Sequence, residues 1–188
     1  MKWIYGRQDW KTLERGLENC YLLTNGLGGF SSLTMTGAVA RNDHSVFMSC
    51  TKAPNHRINM IHRMKEELDI GESKYVLSTQ EFADGTKEEG YRYLTEFSFE
   101  ILPSWRYLIN GIEIEKEIVM AQGSNQIAVN YHLKNRGQKE AALCVTPFFQ
   151  FEPKGEDLKE DKIFSRQAQK ITDGKYVSFF SVNPSTSP

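Results

Sequence analysis

Asn110-Gly111-Ile112-Glu113-Ile114-Glu115-Lys116-Glu117-Ile118-Val119-Met120 is the stretch that decides the fold. Ile112, Ile114, Ile118 and Met120 alternate with Glu113, Glu115, Glu117 and Val119, a period of two that places an apolar row on one face of a strand and carboxylates on the other. Asn-Gly before it is a strong two-residue hairpin signal, because both residues tolerate positive φ. An antiparallel partner is therefore expected on the N-terminal side, and Trp105, Tyr107 and Ile109 supply it.

The same alternation extends both ways. Phe97, Phe99 and Ile101 form an earlier short run. Ile127, Val129, Tyr131 and Leu133 form a later one, opposite Gln126, Ala128, Asn130 and His132 and followed by the turn Asn135-Arg136-Gly137-Gln138. Leu143, Val145, Phe149 and Phe151 continue the apolar face, and Pro147 within them marks an edge strand or a bulge. The order predicts a meander. Asp9 to Leu17 alone has helical spacing, with Asp9 as N-cap and Trp10, Leu13 and Leu17 on one face, ending near Gly16. Many short strands with turn signals and at most one or two short helices predict an all-β, two-sheet antiparallel β-sandwich, since each sheet must cover the other's apolar face.

The chain has 188 residues, 39% hydrophobic, enough for one well-buried core. Lys plus Arg number 23 against 24 Asp plus Glu, and the signs interleave, as at Lys159, Glu160, Asp161 and Lys162. Such a balance gives no field to draw nucleic acid or an anionic membrane, and a neutral partner fits better. No window approaches the ~20 apolar residues of a membrane span, and no signal-peptide core follows Met1. The cytoplasm is the expected compartment. Cys20, Cys50 and Cys144 lack metal-ligand spacing and are expected to be reduced and buried. Residues 1–182 are expected to form the sandwich, with a strand from Tyr176 to Val182. Asn183-Pro184-Ser185-Thr186-Ser187-Pro188 has linker composition, as at the boundary of a fragment.

Few motifs carry chemistry. Asn25-Gly26-Leu27-Gly28-Gly29-Phe30 resembles a phosphate loop, but such a loop must open a helix, and Ser31 to Thr36 is β-prone without the third glycine at the required offset. The run is expected to be a tight turn between strands 21–24 and 30–39. His44, His56, His62 and His132 show no paired metal-ligand spacing, so no metal and no cofactor are expected. His132 is expected on the polar face of its strand, and His44 in a polar, solvated loop that could touch a ligand. Glycoside hydrolysis needs two carboxyl groups across the scissile bond. The Glu113, Glu115 and Glu117 row and the pair Glu66-Glu67 are expected at the surface or at an interdomain contact instead. Tyr91, Tyr93, Trp105 and Tyr107 could stack on sugars, but their strand spacing favours the core.

Taken in order, these strings resemble one family. Tyr21-Leu22-Leu23-Thr24-Asn25-Gly26-Leu27-Gly28-Gly29-Phe30, Gly37 and Arg41 to His44 are similar to the opening signature of the N-terminal domain of bacterial and archaeal amylo-α-1,6-glucosidase-type glycogen debranching enzymes. Lys65-Glu66-Glu67, Gly90-Tyr91-Arg92-Tyr93-Leu94, Phe97, Pro103-Ser104-Trp105-Arg106-Tyr107, Glu115 to Met120 and Asn130-Tyr131-His132-Leu133 follow in the family's order, so the resemblance spans most of residues 20 to 151. Two places depart from the pattern. Arg41-Asn42-Asp43-His44-Ser45 stands where the family has a second Arg, an aromatic and a Gly around the histidine, and Phe151-Glu152-Pro153-Lys154 stands where it often has an Arg-Asp pair.

The resemblance implies a supersandwich-like domain preceding an (α/α) toroid that holds the catalytic carboxylates. The whole enzyme would hydrolyse the α-1,6-linked glucose stub of glycogen. This domain would not catalyse, but would support or cap the toroid of its parent chain and contact α-glucan. Asn25, Arg41, His44 and Arg92 are the residues expected to face that domain or its glucan. The bland alternative is that they satisfy backbone groups of their own loops. An independent carbohydrate-binding module for α-glucans is the second functional reading.

Overall fold

The computed structural model describes residues 1–157, 165–170 and 176–181, the last two segments as backbone strands alone. Its strands are β1 (Trp3–Gly6), β2 (Leu23–Thr24), β3 (Phe30–Ser32), β4 (Ser45–Lys52), β5 (His56–Ile70), β6 (Ser73–Val76), β7 (Thr79–Glu81), β8 (Lys87–Glu89), β9 (Leu94–Phe99), β10 (Pro103–Ile109), β11 (Ile112–Met120), β12 (Ile127–Asn135), β13 (Ala141–Pro153), β14 (Ser165–Lys170) and β15 (Tyr176–Ser181). The first sheet runs β1-β9-β10-β11-β12. The second runs β13-β5-β4-β3-β2, with β6 paired to β5. All pairings are antiparallel, and the two sheets form a sandwich.

The deciding stretch folds as expected. Asn110 (φ 48°) and Gly111 (φ 82°) form the hairpin turn that pairs Ile109 with Ile112. Ile112, Ile114, Ile118 and Met120 are buried, and Glu113 is exposed. Trp105 lies at the centre of the core, with Tyr21 edge-on at 5.4 Å and Phe97 at 5.2 Å between ring centroids. Its indole N–H donates to the Met35 carbonyl at 2.8 Å, which satisfies the polar edge of a fully buried ring.

Several expectations change. The meander holds from β9 to β12, but β13 crosses to the second sheet and pairs with β5. Alternation reports that one face of a strand is buried, not which neighbour accepts its edge. Pro147 does sit on an edge strand, beside a register shift at Phe148 and Phe149. Ile101 is 78% exposed between β9 and β10, outside either strand.

The single expected helix is split into a 3-10 turn, Arg7–Trp10, and a short α-helix α1, Leu13–Glu18. Thr12 takes an extended conformation at the N-cap and its hydroxyl accepts from the Arg15 amide, a role that suits a β-branched hydroxyl residue better than the helix interior. Asp9 accepts from the Gly6 amide. β3 ends at Ser32, because the Thr34 hydroxyl accepts from the Ala38 amide and closes a turn.

β4 and β5 are not among the strands expected from the sequence. β4 is buried on both faces from Ser45 to Cys50, so it shows no alternation. β5 buries Asn59, Arg63 and Glu66 among its apolar residues. Glu66 is thus interior rather than at the surface. Cys50 is buried, but Cys20 and Cys144 are exposed, and all three thiols are free.

Met1–Glu156 forms one compact unit, and the fold divides after Glu156. On the far side of that division β14 and β15 pair with each other as a hairpin, Ser165 opposite Ser181 and Lys170 opposite Tyr176. The expected strand at Tyr176 to Val182 is therefore present to Ser181, while Val182 and the linker 183–188 lie outside the described residues.

Candidate functional site

The glycine run forms the loop between β2 and β3, and Asn25 organises it from beneath. Its Oδ1 accepts from the amides of Leu27 and Gly29, each at 3.0 Å, and its Nδ2 donates to the Ser124 carbonyl at 2.9 Å and to Asn125 Oδ1 at 3.2 Å. Both donors and both lone pairs of the amide are occupied. The Gly123 amide also donates to the Asn25 carbonyl at 2.8 Å, and Asn125 exchanges two hydrogen bonds with the backbone of Cys50. Asn25 therefore joins three segments: its own loop, the β11–β12 turn of the first sheet and, through Asn125, β4 of the second.

None of the three glycines of this loop can be replaced without strain: Gly26 has φ +78°. Gly28 has φ +96°, and a Cβ there would lie 2.9 Å from the Pro54 carbonyl. A Cβ on Gly29 would lie 2.7 Å from Asn25 Nδ2. The expected tight-turn role is what the loop performs.

Arg41 and His44 close a turn of their own, with the His44 amide donating to the Arg41 carbonyl at 2.9 Å. The Arg41 side chain is exposed and reaches back to the Glu18 carbonyl at 3.3 Å and to Cys20 Sγ at 3.6 Å. His44 is not a solvated loop residue: it is 2% exposed. Its Nδ1 accepts from the Ala40 amide at 3.1 Å, which leaves the proton on Nε2. Burial, and secondarily the Arg41 charge, holds the imidazole below its ordinary pKa, so the neutral ring is the folded form.

These two loops are joined through a third element. Asp43 pairs with Lys154 at 3.3 Å, and the Lys154 ammonium lies 5.8 Å from the centroid of the Phe30 ring, the residue that follows Gly29. Asn25, Arg41 and His44 thus belong to one loop cluster beside the second sheet. Arg92 does not join them by any hydrogen bond or ion pair among the described residues. It is exposed, bonded to Glu89 at 2.9 Å and placed over the Tyr91 ring at 5.9 Å. Sequence reasoning did not select Lys154 or Asn125, whose roles arise from contacts far along the chain and have no local signature.

The cluster has the chemistry of a scaffold. Its carboxylate, Asp43, is 53% exposed and ion-paired, whereas glycoside cleavage requires two carboxyl groups, one kept protonated across the bond from the other. No group of three or more His, Cys, Asp or Glu side chains among the described residues has the geometry of a metal site. No helix among them is long and apolar enough to cross a membrane. Trp105 and Tyr107 are buried in the core from β10, as their strand spacing implies, whereas Tyr91, also buried, and Tyr93, packed against the core, belong to the 3-10 turn Gly90–Arg92 and its C-cap rather than to a strand. His132 is exposed on the outer face of β12.

The family model for the glycogen debranching enzyme N-terminal domain matches residues 19–187, a span that includes every strand from β2 to β15 and all four candidate residues. Comparison with curated proteins and with solved structures returned no match.

Proposed function

We propose that this chain, which belongs to the glycogen debranching enzyme N-terminal domain family, is the non-catalytic sandwich domain of an enzyme that hydrolyses α-1,6-glucosidic branch points. The family match over nearly the whole chain carries the reading. The loop cluster supports it, since it is built to hold a surface in shape and gathers no acid and base. The catalytic carboxylates belong, on this reading, to an (α/α) toroid in the same parent chain, joined through residues 183–188, with residues 1–182 forming the sandwich and glycogen breakdown in the cytoplasm as the setting.

Asn25 and His44 would act from below, fixing the two loops, while the exposed guanidinium groups of Arg41 and Arg92 face the toroid or its glucan. Cysteines, metals and cofactors have no part in this role. The runner-up is an independent module for α-glucans, which would hold glycogen without a partner domain.

Calorimetric titration of the 188-residue protein with maltotetraose and with glycogen, alongside an assay for released glucose, tests the proposal. No glucose is expected. Heat of binding without glucose assigns the domain a share in holding the glucan, and no heat leaves it the supporting role. Glucose release from this chain alone would overturn the non-catalytic reading.

A further inference from the structure

The outward face of the first sheet is a second, separate surface. Its strands bury one side, and the opposite side carries a trough of about 540 Å³ lined by Thr95, Arg106, Glu113, Glu115, His132 and Lys134. The pairing register arranges these residues in rows. Glu96, Arg106, Glu115 and His132 stand opposite one another across β9, β10, β11 and β12, and Leu108, Glu113 and Lys134 form the next row. With strands about 4.8 Å apart, four strands make a polar row roughly 14 Å long.

The concavity has a local cause. Arg106 pairs with Glu96 but Tyr107 pairs with Leu94, so Thr95 is an extra residue in β9, and its hydroxyl donates to the Arg106 carbonyl at 2.9 Å. A bulge of this kind bends the strand and increases its twist, curving the sheet around the outer row.

Charge decides what the trough can hold. Arg106 lies between Glu96 at 3.5 Å and Glu115 at 3.3 Å, and Glu113 pairs with Arg136 at 3.0 Å. The signs cancel within the trough, so it offers no net attraction to an anion or a cation. It does offer carboxylate acceptors, guanidinium and ammonium donors and a histidine ring side by side, and the ion pairs of Arg106 with Glu96 and Glu115 already orient part of the row, which lowers the ordering cost of binding. A partner that satisfies adjacent donors and acceptors must do both with each of its own groups, must be uncharged, and must repeat along a row. Hydroxyl groups on a sugar chain have these properties. Leu108, 46% exposed in the same trough, supplies an apolar patch for the C–H face of a ring.

We propose that this trough is a binding site for a neutral oligosaccharide. It holds the chain without cleaving it: Glu113 and Glu115 are two residues apart on one strand, but their side chains are 48% and 36% exposed and each is tied to an arginine, so neither is desolvated as a general acid must be.

The test is titration of the 188-residue protein with maltotetraose, for the parent and for Arg106→Ala, His132→Ala and, as a control distant from the trough, Lys74→Ala. The choice of an α-linked probe rests on the debranching reading, so cellotetraose is titrated in parallel. Each trough variant is expected to weaken maltotetraose binding at least tenfold while Lys74→Ala keeps the parent affinity; all three side chains point outward, and unchanged thermal midpoints confirm folding. No binding to the parent, equal binding by the Arg106 variant, or loss of binding only on Arg41→Ala overturns the trough. Binding of cellotetraose alone, lost in the same trough variants, supports the trough and counts against the α-glucan specificity of the parent enzyme.

Discussion

Lys116 Nζ and Glu66 Oε1 form an ion pair between the two sheets, with each side chain only 5% exposed. Lys116 projects from β11 in phase with Ile114 and Ile118, and Glu66 from β5 in phase with Leu68 and Ile70. The pair is elaborated on both sides. Tyr131 OH donates to the same Glu66 oxygen at 2.8 Å, and the Lys116 ammonium lies 5.2 Å from the Trp105 ring centroid. Burial, reinforced by the Glu66 charge, pushes the phenols of Tyr107 and Tyr131 far above their ordinary range, so both remain neutral. Burying two charges costs more in desolvation than the pair recovers in attraction unless further hydrogen bonds complete it, and here Tyr131 does so.

Removing one partner should therefore be worse than removing both. Lys116→Met strands a buried carboxylate and is expected to destabilise the protein by about 3–5 kcal/mol, whereas Lys116→Met combined with Glu66→Leu should recover most of that loss. Urea unfolding of the parent, the single variant and the double variant measures the difference. A double variant as unstable as the single one would show that the pair is not the cause.

Asn25→Ala removes four side-chain hydrogen bonds and leaves the buried amide of Gly29 and its neighbours without their partner. The expected cost is about 3 kcal/mol, since each orphaned buried group carries its desolvation penalty. Thermal unfolding reads it, and a loss below about 0.5 kcal/mol would show that the loop and the β11–β12 turn are held by other contacts.

His44 and His62 both have imidazoles held below the ordinary value of 6.5, chiefly by burial. Above that pH folded and unfolded chains are alike neutral at these sites. Below it the unfolded chain takes up protons that the folded one resists, so stability should fall as pH drops from 6.5 toward the folded-state values. Urea midpoints measured from about pH 8 down to about pH 5 should show this slope, and His44→Gln should flatten it. An unchanged slope in that variant would remove His44 as a cause.

Cys20 and Cys144 are exposed and Cys50 is buried. A thiol reagent should therefore modify two cysteines rapidly in the native protein and the third only on unfolding, as mass spectrometry of the labelled peptides will show. Rapid labelling of Cys50 would mean that the packing of the β2–β3 loop over β4 is looser than described.

How much of this was legible beforehand depended on the range of the cause. The β11 run and its Asn110-Gly111 turn were readable because alternation and positive φ act between neighbours. Lys116 was within reach of the same signal: it shares the parity of Ile114 and Ile118, so a lysine in the inward phase already pointed to a buried cation in need of a partner. Its partner was not readable, because Glu66 lies fifty positions earlier on a strand whose interior mixes polar and apolar residues. Arg41 and His44 were selected from their loop, but only the packing around Ala40 and the burial of the ring show that His44 is neutral and interior.

By itself, the sequence determined that this chain is an antiparallel β-sandwich of the debranching-enzyme N-terminal family, because strand periodicity, turn residues and ordered motifs are properties of short segments. Tertiary structure alone decided that β13 joins β5 rather than β12, that Lys116 meets Glu66, that Asn25 ties one sheet to the other, and that Glu96, Arg106, Glu115 and His132 line up in one outer row. The first three rest on contacts between segments distant along the chain, and the outer row on the exact registers of the consecutive strands β9 to β12, where a shift of one residue would turn every side chain of a strand to the opposite face.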